Sequence, residues 1–315
     1  MSVNEITEMK MVLIRHQGCV NRVRWTDDGR FCMTAGEDRS VYLWNPFKPE
    51  PASVTQKDAL LIKEYPFIHS YRVTDVIIRS DNSQFASCGG DKFVLTSDVT
   101  TGRSIARHGN HEHRINSIAY NHDCSVIGSA SYDKTVKLWD TKSQNRDPIQ
   151  TLQDATDNVS CVCFRGDYIL TSSSDGCARI YDMRMGQLSC DAFHSPLTSI
   201  SPSNDNMCYL VSKLGSQLHL VESSNGRLLK SYSHHVHNQY SINSSLSTDD
   251  SKVMTCSEDG LVVVWNITDS VSPVAIVRRP SSSCCSISLS IRPSSSSSCD
   301  VLIGYSDGMV AYWCL

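Results

Sequence analysis

The sequence predicts an all-β fold assembled from seven copies of one unit, and three observations carry that reading. A ten-residue ending recurs, made of small residues, an acidic turn, alternating apolar positions and an aromatic: GEDRSVYLWN at 36–45, SYDKTVKLWD at 131–140, SSDGCARIYD at 173–182 and SEDGLVVVWN at 257–266. Weaker copies stand at 89–98 (GGDKFVLTSD), 213–222 (KLGSQLHLVE) and 305–314 (YSDGMVAYWC). The turn position falls at Asp38, Asp91, Asp133, Asp175, Gly215, Asp259 and Asp307, at intervals of 53, 42, 42, 40, 44 and 48 residues. Further positions keep the same register. Four residues before the turns stand Thr34, Ser87, Ser129, Thr171, Val211, Thr255 and Ile303, and 22 before the first three stand His16, His69 and His111, each followed four residues later by Val20, Val73 or Ile115.

Alternation of apolar and small residues on either side of an acidic turn is a hairpin signal, and a unit this short cannot bury its apolar face alone. A period of about 40 to 45 residues with this ending resembles the WD-repeat family, whose repeats form four-stranded propeller blades. The resemblance covers the whole chain and implies a single closed seven-bladed β-propeller over residues 1–315. The last repeat stops two residues after Trp313, without an outer strand. Residues 9 to 14, including Met11 to Ile14, supply that strand and complete the blade formed by about 275–315, removing an edge open to another chain. The long first interval holds an insertion at 46–58, whose three prolines suggest a surface loop, and the serine runs at 281–283 and 294–298 read as loops in the last blade. Those serines are also candidate phosphorylation sites.

In the family the turn aspartate accepts from a histidine ring, the ring bonds the hydroxyl, and the hydroxyl meets the indole of the aromatic. The resemblance assigns complete relays to blade 1 (His16, Thr34, Asp38, Trp44) and blade 3 (His111, Ser129, Asp133, Trp139). Blade 2 keeps His69, Ser87 and Asp91 but has Ser97 where the aromatic belongs. Blade 4 keeps Thr171, Asp175 and Tyr181 without a histidine, and blade 6 keeps Thr255, Asp259 and Trp265 with either His235 or His237. Blade 7 retains Asp307 and Trp313, and blade 5, with Val211, Gly215 and Val221, is expected to rest on packing alone. Recurrence from blade to blade marks these histidines and carboxylates as structural, since a buried network in which every member is satisfied rigidifies its surroundings. They are not assigned as acid–base catalysts, and no catalytic residue is assigned.

Composition narrows the function classes. Lys plus Arg number 29 and Asp plus Glu 33, a net charge of −4, so no overall basic field draws the chain to nucleic acid or to an anionic membrane. No apolar run approaches the roughly 18 residues that would span a bilayer. The opening residues put acids ahead of a short apolar stretch, unlike a secretory leader, so the 14 cysteines are expected to be thiols in a reducing compartment. Their spacings are CxC and CC, without a CxxC pair, and the histidine clusters at 108, 111, 113 and at 234, 235, 237 lack a thiol or carboxylate at ligand spacing. No metal and no cofactor is expected. The glycosylation patterns at Asn158, Asn243 and Asn266 are read as chance in such a chain.

Loops carrying the turn aspartates share one face of such a ring, and a propeller works through surfaces of this kind. On it Arg39, Arg72, Lys92, Arg114 and Lys134 all come from blades 1 to 3, with Tyr132 among them, whereas Gly176, Ser216, Gly260 and Gly308 occupy the far sector. That asymmetry points to a partner surface with an aromatic anchor and a cationic border that steers an acidic or phosphorylated segment. Within the family, the strings SCGGDK at 87–92, YDMRMGQL at 181–188, CSEDG at 256–260 and HNQY ending at Tyr240 resemble the mitogen-activated protein kinase organizers. That resemblance implies a non-enzymatic scaffold, monomeric within larger complexes, whose partners are kinase-pathway proteins or splicing factors of the spliceosome, located in cytoplasm and nucleus. A different output is implied by Tyr181-Asp182-Met183-Arg184, similar to the motif through which WD-repeat substrate receptors dock onto cullin-RING ubiquitin ligases, with Arg184 reaching the adaptor.

Overall fold

The structure, a computed structural model, describes residues 8–51, 57–109, 111–143, 147–269, 272–279, 284–293 and 299–315. Each repeat folds into one antiparallel four-stranded sheet, and among the described residues there are seven such sheets and no helix. Blade 1, typical of the set, runs from inner strand Val20–Trp25 through Cys32–Gly36 and Val41–Pro49 to outer strand Ala59–Tyr65. The inner strands of the other blades are Val73–Ile78, Ile115–Tyr120, Val159–Arg165, Leu197–Pro202, Ser244–Leu246 and Ser286–Ile291, and each packs beside the next around a central channel. Strand Glu8–Ile14 closes the ring by pairing with Met309–Cys314 from Glu8 opposite Cys314 to Ile14 opposite Met309. Ala275–Arg278 is the outer strand of blade 6, so blade 7 begins at Ser286, later than the repeat interval suggests.

The core is divided among the blade interfaces. Among the described residues there are seven apolar clusters, each shared by two neighbours: Val73, Val76 and Phe85 of blade 2 meet Met33, Val41 and Tyr65 of blade 1, and Leu302 and Val310 of blade 7 meet Val20, Val23 and Trp44. Alternation along each strand puts one side-chain set against the preceding blade and the other against the following one. Burying each such Val, Leu or Ile contributes about 1.5–3 kcal/mol, so each blade draws its apolar stabilisation from both neighbours.

Six of the seven inner strands carry a β-bulge near the top, between Val20 and Arg22, Val73 and Asp75, Ile115 and Ser117, Val159 and Cys161, Leu197 and Ser199, and Ser286 and Ser288. A bulge turns its extra residue out of the ladder. Here that residue reaches sideways: Asn21 Nδ2 donates to Val73 O (2.7 Å), Thr74 Oγ1 to Ile115 O (2.6 Å), Asn116 Nδ2 to Val159 O (2.7 Å) and Ser160 Oγ to Leu197 O (2.8 Å). The amides and hydroxyls at these four bulges therefore stitch each of blades 1 to 4 to the next.

The insertion departs from the loop expected of it. Pro46 to Pro49 continue strand Val41–Pro49, Pro49 pairs with Ala59, and Val12 N donates to Lys57 O at 2.8 Å. Phe47 stacks on Trp25 and meets Tyr312 edge-on, so the insertion braces the closing strand and blade 7. Residues 52–56 and the serine runs at 281–283 and 294–298 lie outside the described residues.

Candidate interaction surfaces

The site begins with what holds the turns. In blade 3, His111 Nδ1 lies 2.7 Å from Asp133 Oδ2, its Nε2 lies 2.7 Å from Ser129 Oγ, and Trp139 Nε1 donates to the same hydroxyl at 2.8 Å. Blade 1 repeats this with His16, Asp38 (2.9 Å), Thr34 (2.8 Å) and Trp44 (3.0 Å). In blade 2, His69 bridges Asp91 (2.8 Å) and Ser87 (2.8 Å) above the buried Ser97. Burial alone would raise the pKa of Asp38, Asp91 and Asp133, but the histidine bonds and backbone amides overcome it and hold all three below the usual carboxylate range.

Elsewhere the markers are wired differently. Arg179 replaces the histidine of blade 4: its Nη2 donates to Asp175 Oδ2 (2.8 Å) and its Nη1 to Ser173 Oγ (2.7 Å). Ser173 rather than Thr171 is therefore the hydroxyl of that network, and Tyr181 turns its hydroxyl to Asp154. In blade 7, Arg279 pairs with Asp307 and lies over the Tyr305 ring. In blade 6, Thr255 bonds main-chain carbonyls, and neither Trp265 Nε1 nor the ring nitrogens of buried His235 have a hydrogen-bond partner among the described residues. His237 belongs to blade 5, where its carbonyl accepts from Gly215 N and its Nδ1 lies 3.4 Å from Ser212 Oγ. Packing alone thus does not hold the blade 5 turn. Glu258 takes over in blade 6, accepting from the amides of Asn238, Gln239 and Tyr240 at 2.6 to 2.9 Å.

Below the turns, Asp75 forms a buried ionic node in the channel wall. Its carboxylate accepts from Arg22 Nε (2.7 Å) and Nη2 (3.0 Å), Ser117 Oγ (3.0 Å) and Ile118 N (3.1 Å), with Arg24 at 3.8 Å. Burial opposes its ionisation, yet Arg22 and Arg24 keep it below the usual range. Arg22, Asp75 and Ser117 occupy the same position in consecutive repeats, two after the β-branched opener. Opposite charges at matched repeat positions were the signal in the sequence for this node, which the relay register does not include.

The turn-bearing face separates the six candidate residues. Arg72 and Arg114 line the mouth of a channel cavity of about 670 Å³, together with Asn21, Asn116, Asn158 and Tyr240. Arg72 lies 3.7 Å from Glu37, and Arg114 sits over the Tyr132 ring at 4.8 Å, which joins the aromatic to the mouth. Arg39, Lys92 and Lys134 are exposed on the turns, outside the cavity lining, and Arg39 covers Phe67. Their positions share one backbone demand: φ is 64° at Arg39, 70° at Lys92, 71° at Lys134, 80° at Gly176, 62° at Ser216, 81° at Gly260 and 89° at Gly308. A Cβ at Gly260 or Gly308 would lie 2.5 Å from a carbonyl oxygen, so those turns require glycine, whereas the turns of blades 1 to 3 carry a cation there. On the opposite face Arg184 is exposed and 3.6 Å from Asp167, in a turn whose amides at 184 and 185 donate to Asp182.

Comparison with known proteins matches this architecture. The model of the WD domain, G-beta repeat, fits residues 7–45, 102–140, 146–182 and 226–266, the repeats that end in Trp or Tyr followed by Asp or Asn. WD repeat domain-containing protein 83 of Homo sapiens is 37% identical over 260 residues, 82% of this chain and 79% of that protein. The chain belongs to the WD-repeat family. Similar relatives with the same protein name occur in Xenopus laevis (37% identical, 95% of this chain and 89% of the relative), and a homolog in Dictyostelium discoideum is 29% identical over 81% and 84%. The WD-repeat chain is thus a homologue of these proteins, built as a protein-interaction propeller. The repeat endings of blades 2, 5 and 7, which the repeat model does not match, lack the aromatic–acid or aromatic–amide pair.

Proposed function

We propose that this WD-repeat propeller is a non-catalytic platform that assembles kinase-pathway proteins, splicing factors of the spliceosome, or both, in cytoplasm and nucleus. The observation carrying the reading is the cationic sector of the turn face, where Arg72 and Arg114 border the 670 Å³ cavity and Tyr132 lies under Arg114. Guanidinium groups beside an aromatic ring suit an acidic or phosphorylated segment of a partner, and a channel mouth excludes water around it. The kinase and splicing partners rest on the resemblance to the organizers. Affinity purification from nuclear and cytosolic fractions tests the proposal, using the chain and an Arg72→Glu/Arg114→Glu variant. Kinase-pathway or splicing proteins should co-purify with the first and be lost from the second; their retention by the variant would sink the role of this surface.

A second reading has one observation in its favour, the exposure of Arg184, held only by a loose pair with Asp167. In that reading the propeller is a substrate receptor of a cullin-RING ubiquitin ligase, docking through Tyr181, Asp182, Met183 and Arg184. Loss of ligase association on Arg184→Ala, with turn-face partners retained, distinguishes it from the scaffold reading.

A further inference from the structure

The face opposite the turns holds an apolar groove between blades 4 and 5 that no relay or channel contact uses. The hairpin ends of the two blades meet there around a cavity of about 220 Å³ lined by Tyr168, Leu170, Ile180, Pro202, Met207 and Cys208. Met207 is 59% and Tyr168 41% exposed, and Met183, whose amide donates to Asp167 O beside Tyr168, adds a further open thioether. Unbranched methionines adapt to irregular apolar partners, and large exposed apolar side chains gathered at a cavity mark an interaction surface.

The rim decides which partner fits. Asp205, Glu222 and Asp250 surround Cys208, and after burial they are the causes that push its thiol upward. None of the three is in a salt bridge among the described residues. Asp205 caps its own turn at Met207 N (2.9 Å), Glu222 accepts from Ser224 Oγ and Asn225 Nδ2 (both 3.1 Å), and Asp250 accepts from Asn204 N (2.7 Å). Arg165 lines the cavity too, and its bonds go to the neutral Asn206 Oδ1 (2.9 Å) and Asn204 Oδ1 (2.8 Å), so its charge stays beside Asp205 and Asp250, while Arg184 lies 3.6 Å from Asp167; three carboxylates thus share one guanidinium. The groove is therefore apolar at its floor and net negative at its edge, opposite in sign to the cationic sector of the turn face.

We propose that this groove receives a basic protein segment, inserting one large apolar side chain against Met207 and Tyr168 while flanking lysines or arginines face Asp205, Glu222 and Asp250. Such a site is independent of the turn face, so one propeller holds two partners of opposite charge on opposite faces. Complementary charge sets the orientation and the rate of encounter, and the buried apolar anchor sets the lifetime.

The test is a titration of the full chain, with methionine methyl groups labelled for NMR, by a short synthetic peptide having a Phe–Leu centre and lysine flanks. Shifts should appear at Met207 and Met183. Met207→Ser, a change on an exposed loop, should weaken binding about tenfold, and Glu222→Gln should weaken it about twofold and flatten its salt dependence. Arg72→Glu should leave it unchanged. The proposal is overturned by absence of shifts, by equal shifts from a peptide with glutamate flanks, or by binding indifferent to Met207→Ser. Movement of the Met207 signal with protein concentration alone would also overturn it, giving the groove to a second copy of the chain.

Discussion

In blade 3 one buried hydroxyl, Ser129, serves His111 and Trp139 at 2.7 and 2.8 Å, and His111 passes the chain on to Asp133. In blade 6 the matching Thr255 bonds carbonyls, while Trp265 Nε1 and the His235 ring stay without hydrogen-bond partners among the described residues. The contrast extends around the ring. Blades 1 to 3 share histidine networks, the Arg22–Asp75 node and the cationic turns, whereas blades 4 to 7 rely on Arg179, Arg279, serine bonds and packing. A single wedge shape therefore does not require a single polar design, because the interface cores supply most of the stability and the polar networks fix the turns.

Removing Asp75 should separate the two sectors most strongly. Asp75→Ala leaves Arg22 unpaired in the channel wall and strips Ser117 and Ile118 N of their acceptor, with an expected loss of about 3–5 kcal/mol. Ser199→Ala, at the matched position of blade 5, removes a bond to Ser244 Oγ (3.1 Å) and the acceptor of Ser244 N (3.2 Å), both neutral, and should cost about 1–3 kcal/mol. Urea denaturation of both variants measures the gap, and equal losses would break the comparison. Adding Arg22→Met to Asp75→Ala should restore part of the stability, since the uncompensated charge is then gone.

The next effect depends on pH and belongs to blade 6. Burial, followed by the neighbouring His237, lowers the His235 pKa from 6.5 to about 4, with Asp259 opposing. Because the folded value lies below the unfolded one, the neutral ring contributes stability that is complete above about pH 6.5. Protonation favours the unfolded chain as pH falls from there towards 4, at a cost approaching about 3 kcal/mol. Thermal melts across pH 4 to 7 should show this slope, and His235→Asn should flatten it. His219, also lowered to about 4 but less buried, will leave a residual slope.

Smaller still are the relay hydroxyls. Ser129→Ala should cost about 1–3 kcal/mol by leaving Trp139 Nε1 and His111 Nε2 without their shared partner. Thr171→Val should change stability by less than about 0.5 kcal/mol, as Ser173 holds the blade 4 network. Hydrogen exchange gives the same ranking by another route: strands of blade 3 should be better protected than those of blade 5, whose turn is tied by the His237 carbonyl and a 3.4 Å contact.

Much of this was legible in the sequence because repetition multiplies a weak signal. The number of repeats follows from spacing, and the resemblance to the WD-repeat family supplies the blades, the closing strand at 9–14 and the partners of His16, His69 and His111 at the positions that the spacing picks out. Substitutions that cross positions were not legible. Arg179 and Arg279 reach the turn aspartates from places outside the histidine register, and a long guanidinium can replace an imidazole from a different Cα. His237 lies 22 residues before Asp259 yet serves the previous blade, because the segment between blades 5 and 6 is irregular and counting loses its meaning there. The insertion at 46–58 misled for the opposite reason: two of its three prolines, Pro46 and Pro49, sit at the extended end of a strand, where edge positions tolerate them.

The turn face offers the smallest expected change in stability and tests whether its charge is for structure or for contact. Arg72 meets Glu37 only at 3.7 Å and both side chains are largely exposed, so that pair should contribute at most a few tenths of a kcal/mol. Arg114 stacks on Tyr132 at the surface, where such a contact is worth about 0.5–1 kcal/mol. Arg72→Glu/Arg114→Glu should therefore shift the melting midpoint by only a few degrees while abolishing capture of an acidic or phosphorylated peptide in a binding assay. A large drop in midpoint would reassign both arginines to the fold. A small drop with binding intact would instead leave the charge asymmetry between blades 1 to 3 and the rest without a functional reading, since all seven turns share the left-handed backbone and that alone does not select a cation.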